Sequence, residues 1–178
     1  ICYTAFLFLP LVLYKLLSPV NKTHAVLMIT LAVVSVPISF VNMLNKFTVL
    51  TLISKASYLN AFEADKIQAQ VLLYLDYFRN GNQIASIFWG LWLFPFGYLA
   101  FKSGFLPKVL GILLMAGCFG YIINFIGSFL FSKYGETGIS SFITIPAALG
   151  EIGICLWLLI KGVKTQSHTV TKDVACKM

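Results

Sequence analysis

Residues 1–17, 25–53, 84–101, 109–131 and 140–160 form five apolar stretches on the scale of the roughly 20 residues that a helix, rising about 1.5 Å per residue, needs to cross a hydrocarbon core of about 30 Å. The cores Ala25–Asn45, Ile84–Phe101 and Val109–Phe131 contain no Asp, Glu, Lys or Arg. Where no water is available the backbone must satisfy its own hydrogen bonds, which leaves only helices and closed barrels. Barrel strands alternate apolar and polar over about ten residues, and Gly111–Leu114 and Phe125–Phe131 do not alternate. The reading is an all-α membrane bundle of about five spans. A charged share of 11% against the roughly 25% of a soluble domain agrees with it.

The net charge of +7 becomes informative once the basic residues are sorted by loop. Lys15, Lys22, Lys102, Lys108, Lys161, Lys164, Lys172 and Lys177 fall on one side. Lys55, Lys66, Arg79 and Lys133, with Lys46 if it snorkels, fall on the other, where Glu63, Asp65, Asp76 and Glu136 offset them. The positive-inside rule makes the first side cytoplasmic, and with it the polar tail 164–178. The start at Ile1, before a short apolar run with no polar flank, reads as a fragment. A signal peptide would carry its basic residues before the run, whereas Lys15 follows it.

Residues 61–79 read as an amphipathic helix at the outer surface, capped by Asn60 and Glu63, with Ile67, Val71, Tyr74, Leu75 and Phe78 at helical spacing. Pro37 and Pro95 interrupt spans and are expected to kink them. Trp89 suits an interfacial belt. Cys118 and Cys155 sit in apolar runs, and Cys2 and Cys176 lie at the ends, so neither a disulfide nor a metal site is expected. The sequon at Asn21 falls on the cytoplasmic side and reads as chance.

Glu151 is the residue that most invites a functional reading. It stands about 15 Å from Lys161 along its helix, near the bilayer midplane, where an ionised carboxylate is costly and should face the bundle. Ala147 and Gly150 beside it permit close helix approach, and the fourth span offers a matching surface of Gly117, Gly120, Asn124 and Gly127. Tyr121 and Asn124 are the expected hydrogen-bond partners of Glu151. The functional reading is a proton or cation site; the structural one, which a single acid without a partner base favours, is an interhelical hydrogen bond. Asn42 and Asn45 read as interhelical glue and Lys46 as a snorkelling side chain.

Enzyme signatures are absent, His24 and His168 lie outside the apolar cores, and no cofactor or nucleic-acid motif is present. The function expected is structural, regulatory or partner-binding, toward the bilayer, a protein partner or a second copy. A small-solute or proton-coupled transporter centred on Glu151 is the alternative, and an intramembrane enzyme the third.

Two stretches carry a family resemblance. Phe88-Trp-Gly-Leu91, Gly97-Tyr-Leu-Ala-Phe-Lys-Ser-Gly-Phe-Leu-Pro-Lys108 and Leu110-Gly-Ile-Leu-Leu114, together with Pro146-Ala-Ala-Leu-Gly-Glu151 and Leu156-Trp-Leu-Leu-Ile-Lys-Gly-Val163, resemble the bacterial multi-pass membrane family known as domain of unknown function 4386. The resemblance implies six spans in the whole protein, both ends inside, and a place in the bacterial inner membrane. It implies no activity.

Overall fold

A computed structural model describes residues 2–54, 56–131, 134 and 138–162, without the side chains of residues 2, 58 and 60. The polar tail 164–178 and the capping side chain of Asn60 lie outside the described residues. Among the described residues the chain forms six helices, α4 continuing in the direction of α3 and the others alternating antiparallel: α1 (Cys2–Leu17), α2 (Lys22–Ile53), α3 (Ala64–Leu91), α4 (Leu93–Lys102), α5 (Lys108–Leu130) and α6 (Ile139–Lys161), with a short 3₁₀ turn at Ser57–Ala61. Four units are long and apolar enough to cross a membrane, Lys22–Ile53, Ala64–Lys102, Lys108–Leu130 and Ile139–Lys161, and α1 is a shorter apolar helix beside them.

One start and one joint show how local sequence sets these elements. Asn21 caps α2, its side-chain oxygen accepting from the His24 backbone N–H at 3.0 Å, so the residue of the sequon serves a helix N-terminus. The α3–α4 joint falls at Trp92, whose backbone is still helical and whose N–H bonds Phe88 O at 3.1 Å. Pro95 has no N–H for the carbonyl of Leu91, and its ring crowds that carbonyl, which breaks the ladder there without turning the chain.

The amphipathic segment differs from its sequence expectation. It starts at Ala64, with Glu63 at the cap position and paired to Lys66 at 3.1 Å, and continues unbroken into the span instead of lying on the surface as a separate helix. Gly81 does not break it, because this glycine is where α2 comes closest: a Cβ there would overlap the Asn42 amide. Half-buried Ile67, Val71, Tyr74 and Phe78 carry the same face away from Gly81, while Leu75 is exposed. The apolar stripe is spent on α2, not on a bilayer surface.

Glycines set the spacing of α4, α5 and α6. A Cβ at Gly97 would stand 2.6 Å from the Gly111 carbonyl oxygen, and one at Gly117 would stand 2.6 Å from Ala147 Cα. Backbones this close pack by van der Waals contact, the main adhesive where lipid tails are as apolar as side chains. The sealed core, with Leu17, Met28, Leu93, Leu99 and Leu114 at 0% exposure, lies toward the end that carries Lys15, Lys22, Lys102, Lys108 and Lys161. At that end the Trp157 Nε1–H donates to Phe105 O at 3.2 Å, and His24 stacks on Tyr98 at 4.3 Å.

Candidate functional site

The other half of the bundle is open. A cleft of about 500 Å³ lies between α3, α5 and α6. From α3 come Phe78, Arg79, Asn82, Gln83, Ser86 and Trp89, from α5 Tyr121, Asn124, Phe125 and Ser128, and from α6 Ser140 and Thr144. Along the helices Trp89 and Tyr121 stand about 20 Å from Lys102 and Lys108, and Ser128 and Ser140 about 30 Å from Lys108 and Lys161. The cleft therefore runs from the middle of a bilayer-sized slab to the face opposite the lysines.

Its wall is mostly apolar, and hydroxyls and amides are set along it although the helices that bring them are apolar. Helical spacing explains this: Asn82 and Ser86 are one turn apart on α3, as are Asn124 and Ser128 on α5 and Ser140 and Thr144 on α6, so each helix presents a short polar stripe inward. The walls are held in place. Asn42 Nδ2 donates to Phe78 O at 2.9 Å and to Asn82 Oδ1 at 3.1 Å, and Asn45 Nδ2 donates to Asn42 Oδ1 at 3.1 Å. At the rim Arg79 pairs with Asp76 at 3.1 Å, and Lys46 lies over the Phe78 ring at 4.1 Å without lining the cleft.

The sequence-derived candidates are distributed as follows. Asn124 does not bond Glu151. Its Nδ2 donates to Ser140 O at 3.0 Å, and its Oδ1 accepts from Tyr134 OH at 2.8 Å. The antiparallel register is the reason, since Asn124 is level with the start of α6, about 16 Å along that helix from Glu151. Gly120 faces the Ile143 carbonyl, Gly150 faces Leu114, and Gly127 lies under the Tyr134 ring, not against α6. Ala147 meets Gly117.

Tyr121 and Glu151 lie on neighbouring helices about two turns apart, since the contacts Gly117–Ala147 and Leu114–Gly150 set the α5–α6 register. Side chains tilt toward the N-terminus of their own helix, and in an antiparallel pair this leans Tyr121 and Glu151 toward a common level. Among the described residues the Glu151 carboxylate takes part in no hydrogen bond and no ion pair. It shares a flank of α6 with Thr144, about two turns deeper. Tyr121 is thus the deep end of the cleft, and Glu151 lies past it.

Comparison with known proteins agrees with the segments that carry the resemblance. The family model for the domain of unknown function DUF4386 matches residues 1–162. The chain belongs to that family. An uncharacterized protein of the archaeon Archaeoglobus fulgidus is 35% identical over 153 residues, 85% of this chain and 74% of the relative. No solved structure matches. The family segments have a structural meaning here: Gly97 and Gly111, Leu114 and Gly150, and Trp157 and Phe105 are contacts within and between them.

Proposed function

We propose that this DUF4386 protein is a membrane binding protein that holds an amphiphilic ligand in the cleft between α3, α5 and α6. The observation that carries the reading is the placement of a mostly apolar cleft, with hydroxyls and amides along it, in the open half of the bundle, against a sealed core in the other half. Several of the cleft's hydroxyls and amides are bonded within the protein, Ser86 to Gln83 O at 2.7 Å and Thr144 to Ser140 O at 3.2 Å, and the acceptor capacity they keep, at a depth where lipid offers them nothing, suits water or a polar ligand group. Its aromatic walls suit the apolar body of the same ligand. The lysine-rich ends of the helices are assigned to the cytoplasm by the positive-inside rule, with the tail beside them, so the cleft opens outward from the cytoplasmic membrane of a prokaryote. The resemblance places that membrane in bacteria, as the inner membrane.

Transport is the second reading, favoured by one observation: Glu151 shares a flank of α6 with Thr144 of the cleft and stands about two turns deeper. The sealed core around Leu93, Leu99 and Leu114 weighs against a path onward to the lysine-rich end.

Photo-crosslinking tests the binding reading. A diazirine-bearing amphiphile in vesicles containing the protein should label peptides that include residues 82–89, 121–128 and 140–144, and unlabelled amphiphile should compete. Labelling spread over Phe129, Phe142 and Leu159, which face outward at 80%, 74% and 82% exposure, and insensitive to competition would refute it.

A further inference from the structure

The make-up of the cleft wall narrows the ligand class. Apart from Arg79 at the rim, every described residue that lines it is aromatic or carries an uncharged amide or hydroxyl. No Leu, Ile, Val or Met among the described residues takes part, although α5 and α6 are rich in them. Arg79 is paired with Asp76, so the lining holds no lone charge among the described residues.

Much of the hydrogen-bonding capacity of this wall is unspent. Among the described residues the side chains of Gln83, Trp89, Tyr121, Ser128 and Ser140 make no hydrogen bond, and Asn82 uses its oxygen toward Asn42 but not its Nδ2. All six are half-buried, and no side-chain nitrogen or oxygen of such a residue is both buried and unbonded. These groups therefore stand open to whatever enters. They include N–H donors and hydroxyls that both donate and accept. The Trp89 ring stacks on no other ring among the described residues, which leaves its face available.

We propose that the ligand carries a neutral polyhydroxylated head, a sugar or polyol, on an apolar body. A sugar presents hydroxyls around its edge, each a donor and an acceptor, and a face of C–H bonds whose slight positive charge suits the negative face of an indole or phenol ring. The wall offers both surfaces: amides and hydroxyls for the edge, Trp89 and Tyr121 for the face. A charged head would leave water for a cleft whose one lining charge among the described residues is already paired, which is costly. A bare hydrocarbon would leave the open amides and hydroxyls without partners. The assignment rests on the cleft being a ligand site and adds the chemistry of the head.

The test titrates four ten-carbon amphiphiles, decyl glucoside, decyltrimethylammonium, decyl sulfonate and decanol, into the whole chain in a polyoxyethylene detergent, which carries no sugar, with the thermal unfolding midpoint as readout. Decyl glucoside should raise the midpoint saturably, and the other three should do so less or not at all. Methyl glucoside, the head without the chain, should bind more weakly by about tenfold or more. Equal affinity for it would assign a free sugar and overturn the apolar body. Gln83→Leu should weaken the glucoside affinity about fivefold, as expected for one lost hydrogen bond, and Trp89→Leu about tenfold, for the lost ring. If either variant does not yield monodisperse protein, Ser128→Ala makes the comparison, removing a single hydroxyl from α5. Unchanged glucoside affinity in the variants would overturn the head assignment. Saturable stabilisation by the ammonium, the sulfonate or the alcohol in preference to the glucoside would also overturn it and leave the cleft as a site. No saturable response to any of the amphiphiles would overturn both.

Discussion

Gly97 and Gly111 pack reciprocally: a Cβ on either would stand 2.6 Å from the carbonyl oxygen of the other. Alanine in a helix interior normally gains about 0.5–1 kcal/mol over glycine. Here the backbones of α4 and α5 would have to separate, and overpacking of this kind costs about 1–3 kcal/mol. Gly97→Ala and Gly111→Ala should each lower the thermal midpoint in detergent. An unchanged or higher midpoint in both would show that the helices are further apart than described.

The Trp157 indole closes the lysine-rich end by donating to the carbonyl of Phe105, in the turn that Gly104 makes possible with φ +74. Trp157→Phe keeps an aromatic ring and deletes the donor. A loss of about 1 kcal/mol is expected, the usual net value of one hydrogen bond. No loss would mean that water replaces the indole there.

Asn42 ties α2 to the cleft wall through Phe78 and Asn82. Asn42→Leu removes these bonds and forces a branched side chain against Gly81, so a loss of about 2 kcal/mol is expected. Combined with Asn82→Ala it should lose less than the sum of the two single changes, because the residues share a bond. Strict additivity in a double-mutant cycle would argue against the contact.

Glu151 separates the structural reading of the sequence from the arrangement found. An interhelical hydrogen bond from Tyr121 or Asn124 would make Glu151→Leu costly by about 1–2 kcal/mol. With Asn124 bonded elsewhere and no bond to Glu151 among the described residues, the leucine variant should be as stable as the parent or more so, since a solitary acid at membrane depth is replaced by an apolar side chain. Thermal midpoints of the two proteins without ligand decide the matter. A clear loss for leucine would restore the structural role.

The helical class was legible because charge-free runs on the bilayer's scale admit few alternatives, and the lysine-bearing helix ends do lie at one end. The continuity of α3 was not legible. Gly81 reads locally as a helix breaker, and only the approach of Asn42 across the α2–α3 pair shows why glycine is needed inside a helix there. The cleft was hidden for a related reason. Ser86, Ser128 and Thr144 are isolated polar residues in apolar helices, each unremarked alone, and the interhelical register alone brings them to one wall with Asn124. Register also misdirected the pairing of Asn124 with Glu151, because depth counted along each helix from its own end does not say which levels of α5 and α6 meet, and Asn124 meets Ser140.

The central claim is a cleft open on the side opposite the lysines and closed at the level of Tyr121, and a cysteine accessibility scan tests it most directly. In a background lacking the four native cysteines, single cysteines at Ser86, Ser128, Thr144 and Ile154 are exposed in intact cells to a membrane-impermeant maleimide. Ser128→Cys and Thr144→Cys should react readily, Ser86→Cys more slowly because it lies deeper, and Ile154→Cys, at 2% exposure in the sealed half, should stay unlabelled. Labelling at Ile154→Cys with none at Ser128→Cys or Thr144→Cys would contradict the account.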